Sequence, residues 1–300
     1  MATSCPFAKA DGRFAYAGLA LARRGDISCV SAQRIAGRIQ GSGLANMTPD
    51  DVSSRADLWL RVRREAEAAL ARDPIFGCSL SAAILDQSDL GAAVAHQIGQ
   101  RIGKSAGDRH QFARVAHEAF AASPDLADAA GRDLLAIVRH DPATTGLLPP
   151  LLNFKGYVAL QAWRVSNWLW RQDRTDLALL VQSACSDALQ VSIHPSASIG
   201  TSVFLDHATG IIVGSFVTIG DEVTIMQSVT IGRKPENPDR APRIGKGVLL
   251  SSGATILGDV HIGDFAKVGA GALVTSDVPS GCTALGIPAR PINCPEEVSE

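Results

Sequence analysis

Of the seven histidines, whose side chain is the one best suited to moving a proton near neutral pH, three fall in the C-terminal half beyond residue 190: His194, His207 and His261. Imidazole changes charge between about pH 5 and 8, so a histidine is the natural general base for an attacking hydroxyl. As metal ligands these three fail on spacing, because no two of them stand five apart, as a paired-histidine zinc site of this type requires. Six cysteines, Cys5, Cys29, Cys78, Cys185, Cys282 and Cys294, lie far from one another and form no Cys-x-x-Cys pair. They read as free thiols in a reducing compartment rather than as a metal or redox motif. The four tryptophans and two tyrosines recur at helical spacing and read as core, with no cofactor role.

Acid–base residues act only where a scaffold holds them. With 46% hydrophobic and 19% charged residues, the chain has the composition of a globular protein large enough for two domains. Its formal charge of −2 provides no net field for nucleic acid or an anionic membrane, and no apolar run is long enough to span a bilayer. Residues 1 to 49 hold six Lys and Arg against two Asp, so they form an extension or a transit peptide, and the expected compartment is the cytoplasm, or an organelle if a transit peptide is present.

From Asp57 the periodicity becomes helical, with Leu58, Val62, Ala66 and Leu70 on one face and a stop at Asp73-Pro74. Leu90, Val94, Ile98 and Ile102 repeat the pattern before Gly103. Ser123-Pro124 starts a third helix that ends near Asp141-Pro142. Two more helices are predicted over 153–171 and 175–190.

After Val191 the period becomes six. Ile193, Ile199, Leu205, Ile211, Val217, Val223 and Val229 form one series, and Ile244, Leu250, Ile256, Ile262, Val268 and Val274 form another. A sustained hexapeptide repeat is the signature of a parallel β-helix, each unit giving one short strand and a tight corner. Between the series, 232–243 (GRKPENPDRAPR) carries three prolines, so it is predicted to leave the prism as an exposed loop.

Several strings resemble one family. LLNFKGYVALQAWRVSNWLWRQDR (151–174), IHPSASIG (193–200), LDHATGIIVG (205–214), IMQSVTIG (225–232) and GIPARPI (286–292) are similar to the serine acetyltransferases, hexapeptide-repeat enzymes that make O-acetylserine from L-serine and acetyl-CoA. The resemblance covers roughly residues 57–292. It implies an extension over 1–56, a helical oligomerisation domain over 57–190, a left-handed parallel β-helix over 191–292 with an extruded loop, and a short tail over 293–300. It further implies homotrimers pairing into hexamers, acetyl-CoA as co-substrate and no metal.

Residue by residue, the resemblance makes His207 the catalytic base, gives Asp141 and Asp206 the serine ammonium, and gives Arg240 the serine carboxylate, a pairing of charges that suits each group. Gly232, Ser252 and Ala270 match positions whose backbone approaches the coenzyme, and Lys267 a basic residue near its phosphates. Two positions depart from the pattern. Ser192 stands where the family has the aspartate that orients the imidazole, and a serine brings no charge to stabilise an imidazolium. Ala241 stands where the family has a histidine beside the carboxylate clamp. An acyl-CoA-dependent O-acyltransferase with another amino-acid acceptor, or a catalytically weak regulatory paralogue, are the competing expectations. The short acidic end, NCPEEVSE, predicts no stable complex with cysteine synthase.

Overall fold

The computed structural model describes residues 54–234 and 240–295. The proposed extension therefore lies outside the described residues except at its end, where Ser54 caps the first helix by accepting from the amide of Asp57. The helical half comprises α1 (Arg55–Arg72), α2 (Gly77–Leu80), α3 (Leu90–Ile102), α4 (Ala106–Ala122), α5 (Pro124–His140), α6 (Leu148–Asn153), α7 (Lys155–Arg171) and α8 (Thr175–Leu189). Two features differ from the expectation. Helix α4, which the alanine-rich and weakly patterned stretch hides, is set by a full capping box between Ser105 and Asp108. The helix expected over 153–171 is α7, which starts two residues later because Phe154, with an extended backbone (φ −81, ψ 107), separates it from the short α6.

The first strand begins at Val191, one residue after Gln190 turns left-handed to end α8. With it the described residues hold fifteen short strands: β1 (Val191–Ile193), β2 (Ser198–Ile199), β3 (Phe204–Leu205), β4 (Ile211–Val213), β5 (Thr218–Ile219), β6 (Thr224–Ile225), β7 (Thr230–Gly232), β8 (Arg243–Ile244), β9 (Leu249–Leu250), β10 (Thr255–Leu257), β11 (His261–Ile262), β12 (Lys267–Val268), β13 (Leu273–Val274), β14 (Thr283–Gly286) and β15 (Ala289–Ile292). The first fourteen lie parallel in three sheets, β1-β4-β7-β10-β13, β2-β5-β8-β11 and β3-β6-β9-β12-β14, the last completed by the antiparallel β15. Each coil contributes one strand to each face, giving a parallel β-helix. Its interior is filled by Ile193, Ile199, Leu205, Val213, Ile219, Ile225 and Ile231, then Ile244, Leu250 and Ile256, all buried.

The first hexapeptide series conceals a slip. Ile193 pairs with Val213, twenty positions on, where three hexapeptides give eighteen, whereas Ile244 pairs with Ile262 at eighteen. Two extra residues enter between Leu205 and Ile211. The apolar count stays in step because Val191, Ala197 and Val203 form a second buried row, two residues before the first. Ile211, Val217, Val223 and Val229 belong to that second row, since Ile211 pairs with Val191.

The cysteines require a second correction: Cys282 and Cys294 form a disulfide, leaving Cys78 exposed and Cys185 buried as the free thiols among the described residues. Twelve residues of separation conceal the pairing in the sequence, but the antiparallel β14 (Thr283–Gly286) and β15 (Ala289–Ile292) fold back and bring the two ends together. No helix among the described residues is long and apolar enough to cross a membrane.

Candidate active site

The two extra residues make the corner that carries His207. Among the described residues, most corners hold a single left-handed residue, but here His207 (φ 53) and Ala208 (φ 61) are left-handed in succession, followed by Gly210 (φ 78). Consecutive non-glycine residues in that region cost of order 1–3 kcal/mol each and persist only where the surroundings hold them. The surroundings do so here. The amide of Thr209 donates to the His207 carbonyl (2.8 Å), that of Gly210 to Gln190 (2.8 Å) and that of Ser228 to Thr209 (2.8 Å). The imidazole is therefore projected outward, with its side chain 73% exposed and Nε2 3.7 Å from Oδ1 of Asp206.

Helix α7 supports the corner from the other side. Its first residue, Lys155, donates from Nζ to the Thr209 hydroxyl. Its second, Gly156, lies so close to the prism that a Cβ there would overlap the Leu205 carbonyl oxygen and come within 3.1 Å of the Ala208 methyl. A backbone oxygen cannot rotate away, so Gly156→Ala is expected to lower stability by about 1–3 kcal/mol, the usual cost of overpacking. Denaturant unfolding measures this; an unchanged midpoint would mean that the helix and corner are not in contact.

The described structure divides the remaining candidates. Corners stack along one edge of the prism through Ser228 to Thr209, Gly253 to Gln227 (3.0 Å) and Gly271 to Ser252 (2.9 Å). This ladder aligns His207, Ser252 and Ala270 on one edge, and Lys267 stands three residues before Ala270 on the outer face of β12 (Lys267–Val268). Gly232 ends β7 (Thr230–Gly232), which lies in the neighbouring sheet β1-β4-β7-β10-β13, at the end of that strand away from the His207 edge.

Of the segment 232–243 expected to form a loop, residues 235–239 lie outside the described residues; Arg240, which follows them, donates from Nη1 to Asp259 (3.0 Å), which also accepts from Arg243 (2.8 Å). These two arginines hold the Asp259 carboxyl below its ordinary range, so the loop anchor persists in acid until the pH falls through that lowered value. Asp141 ends α5, and its two oxygens accept from the Ala143 amide (2.9 Å) and the Thr144 hydroxyl (2.8 Å). Both groups expected to hold an amino acid are thus occupied within the chain, and among the described residues neither is bonded to the His207 corner.

Ser192, the first of the two departures from the family pattern, has a partner on the helical half. Its hydroxyl accepts from the Gln182 amide of α8 at 3.3 Å rather than from the imidazole of His207. Ala241, beside Arg240, is buried at 8% exposure. Of the other histidines, His194 is committed to structure: Nδ1 is 2.7 Å from the Ser196 hydroxyl, Trp170 meets the ring edge-on at 5.4 Å, and burial, with Arg233, holds its pKa below the usual value. No group of three His, Cys, Asp or Glu suited to a metal occurs among the described residues. A cavity of about 370 Å3 lies in the helical half, lined by Phe76, Ala83, His96 and Gln97, away from this edge.

Sequence reasoning missed the buried joint that positions the edge. Asp133 of α5 accepts from the Val203 amide (3.1 Å) and, at its other oxygen, from Arg164 Nε (3.0 Å), Arg164 Nη2 (2.7 Å) and Gln161 (3.0 Å). Arg164 also donates to the Gly200 carbonyl (2.8 Å). A buried Asp and Arg on facing helices carry no local signal, because charge is ordinarily read as surface.

Comparison with known proteins bears on what this edge does. A family model described as serine acetyltransferase, N-terminal, matches residues 58–162, and one described as bacterial transferase hexapeptide (six repeats) matches residues 241–276. A serine acetyltransferase of Salmonella typhimurium is 39% identical over 239 residues, covering 79% of this chain and 88% of that protein. Among solved structures, a serine acetyltransferase in complex with CoA superimposes with a TM-score of 0.77 at 36% identity, over 80% of this chain and 100% of that one. A soybean serine acetyltransferase complexed with serine gives 0.76 at 40% identity, over 79% of this chain and 98% of the other.

Proposed function

The chain belongs to the serine acetyltransferase family, and we propose that it transfers the acetyl group of acetyl-CoA to the hydroxyl of L-serine, giving O-acetyl-L-serine and CoA, a step toward cysteine. The observation that carries this reading is the exposed His207 imidazole, held beside Asp206 on the prism edge that also presents Ser252 and Ala270.

His207 takes the serine hydroxyl proton as the oxygen attacks the thioester carbonyl, and the imidazolium returns that proton to the departing CoA sulfur. Asp206 and Asp141 bind the ammonium. Arg240 binds the carboxylate with guanidinium N–H groups other than the Nη1 donated to Asp259. The backbone at Gly232, Ser252 and Ala270 and the ammonium of Lys267 hold the coenzyme, which supplies the activated acyl group while the protein supplies orientation. The site is an open edge in one chain, and a second copy against it, in a homotrimer or a pair of trimers, supplies the missing wall. The cytoplasm is the proposed compartment.

Ser192 and Ala241 support a second reading, a related acyltransferase with another amino-acid acceptor or a catalytically weak regulatory paralogue. With Ser192 bonded to neutral Gln182, the anionic partner of the imidazolium is Asp206 alone among the observed contacts. Thiol release from acetyl-CoA, measured with L-serine, D-serine, L-homoserine and L-threonine, decides between them. Turnover preferring L-serine is expected; preference for another acceptor, or none with any, would reject the leading reading. Ser192→Asp is expected to raise kcat about tenfold or more, a modest part of the effect seen when orienting carboxylates in triads are changed. An unchanged kcat would show that Asp206 already does that work.

A further inference from the structure

The C-terminal hairpin is fastened covalently to the end of the prism, and its contacts run to the coenzyme edge. Lys267 pairs with Thr283, so Cys282 takes the inward position that Ala266 holds one coil earlier, and it is fully buried. Cys294 follows β15, is exposed, and is bonded to it. Gly281 (φ 70) completes the closure, since a Cβ there would lie 2.7 Å from Cγ of Pro295.

From this foot the hairpin rises along β12. The Lys267 amide donates to the Cys282 carbonyl (2.9 Å) and the Gly269 amide to Ala284 (2.9 Å). Leu285 is seated on Gly269 so tightly that a Cβ at that glycine would overlap Leu285 Cδ2. Gly269 directly precedes Ala270. The disulfide, the hairpin and the strand that bears Lys267 and leads to Ala270 are therefore one continuous set of contacts.

We propose that Cys282 and Cys294 form a reversible thiol–disulfide modification site that sets the position of the hairpin and through it the affinity for acetyl-CoA. The proposal rests on the reading that Lys267 and Ala270 line the donor site. The oxidant is a low-molecular-weight disulfide. The Cys294 thiolate attacks one of its sulfurs and expels the first thiolate. The Cys282 thiolate then attacks Cys294 Sγ, closing the protein disulfide and expelling the second, so two protein thiols become one disulfide and the oxidant becomes two small thiols. Reduction runs in reverse from the exposed Cys294 sulfur. Cys185, buried with its thiol pushed up to about 12, takes no part, and exposed Cys78 serves as an internal control for alkylation.

The test treats the full chain with glutathione disulfide or with dithiothreitol, alkylates it, and maps the peptides by mass spectrometry, with acetyl-CoA binding measured calorimetrically on each form. Acetyl-CoA has no free thiol to disturb the redox state. The oxidised form is expected to give a cross-linked Cys282–Cys294 peptide with Cys78 alkylated, and the reduced form to bind acetyl-CoA about fivefold or more weakly. Cys294→Ser, an exposed position, is expected to bind like the reduced form under both treatments. Equal alkylation of Cys294 in both forms would overturn the modification site, and equal affinity of a verified disulfide form and a reduced form would overturn its control of binding. Failure of both forms to bind acetyl-CoA would overturn the donor reading and the proposed control together, while the cross-linked peptide still reports on the bond.

Discussion

His207→Asn is expected to lower kcat for acetyl transfer to L-serine by about 100- to 10,000-fold, the range ordinarily supplied by a positioned general base. Asparagine is the informative replacement because residue 207 is left-handed at φ 53, a region that asparagine tolerates and that most side chains avoid. The variant thus removes the basic ring nitrogen without burdening the corner. The side chain is 73% exposed and fills no part of the core, so the unfolding midpoint should move little. KM for acetyl-CoA should also hold, since Ser252, Lys267 and Ala270 are untouched. A kcat within tenfold of the parent would remove His207 from the chemistry and leave the edge as a binding surface.

The largest expected effect on stability comes from Asp133→Ala, at about 3–5 kcal/mol, measured by denaturant unfolding. The residue is fully buried, and its loss strands three donors: the Val203 amide, the Gln161 amide and the Arg164 guanidinium, itself 6% exposed. An unpaired guanidinium in that position costs far more than the intact pair contributes. The effect should reach the site, because Val203 leads into β3 (Phe204–Leu205), after which come Asp206 and His207. Replacing both partners, Asp133→Leu with Arg164→Met, should recover part of the stability, since an apolar pair leaves no stranded charge while the Val203 and Gln161 amides stay unpaired. A single Asp133→Ala costing less than about 1 kcal/mol, within the range of ordinary surface changes, would show that water replaces the carboxylate and that the joint between helices and prism is soft.

Much of the architecture was legible because its signals are local and repeated. Leu58 to Leu70 and Leu90 to Ile102 marked helices through a 3.6-residue period with Pro or Gly stops, and the hexapeptide series marked the β-helix. The LDHATG string pointed to the corner proposed here to carry the chemistry. What escaped depended on contacts distant in sequence or on the absence of a pattern. The two-residue insertion at His207 was invisible because both buried rows are apolar, so a slip of two moves one row onto the other without breaking the series. Helix α4 rests on a cap and on tertiary burial more than on a sharp apolar stripe.

At the site, side-chain type alone specified what His207, Asp141, Asp206 and Arg240 are able to bind. Only the folded chain decided their present partners: Arg240 on Asp259, Asp141 on its own turn, Ser192 on Gln182. The Cys282–Cys294 bond likewise needed the hairpin to exist first. The sequence by itself determined the repeat, the elements and the chemistry on offer, since propensity and periodicity act within a few residues. Tertiary structure alone decided the pairings, because a hydrogen bond or disulfide between distant residues forms only after the backbone has brought both groups to one place.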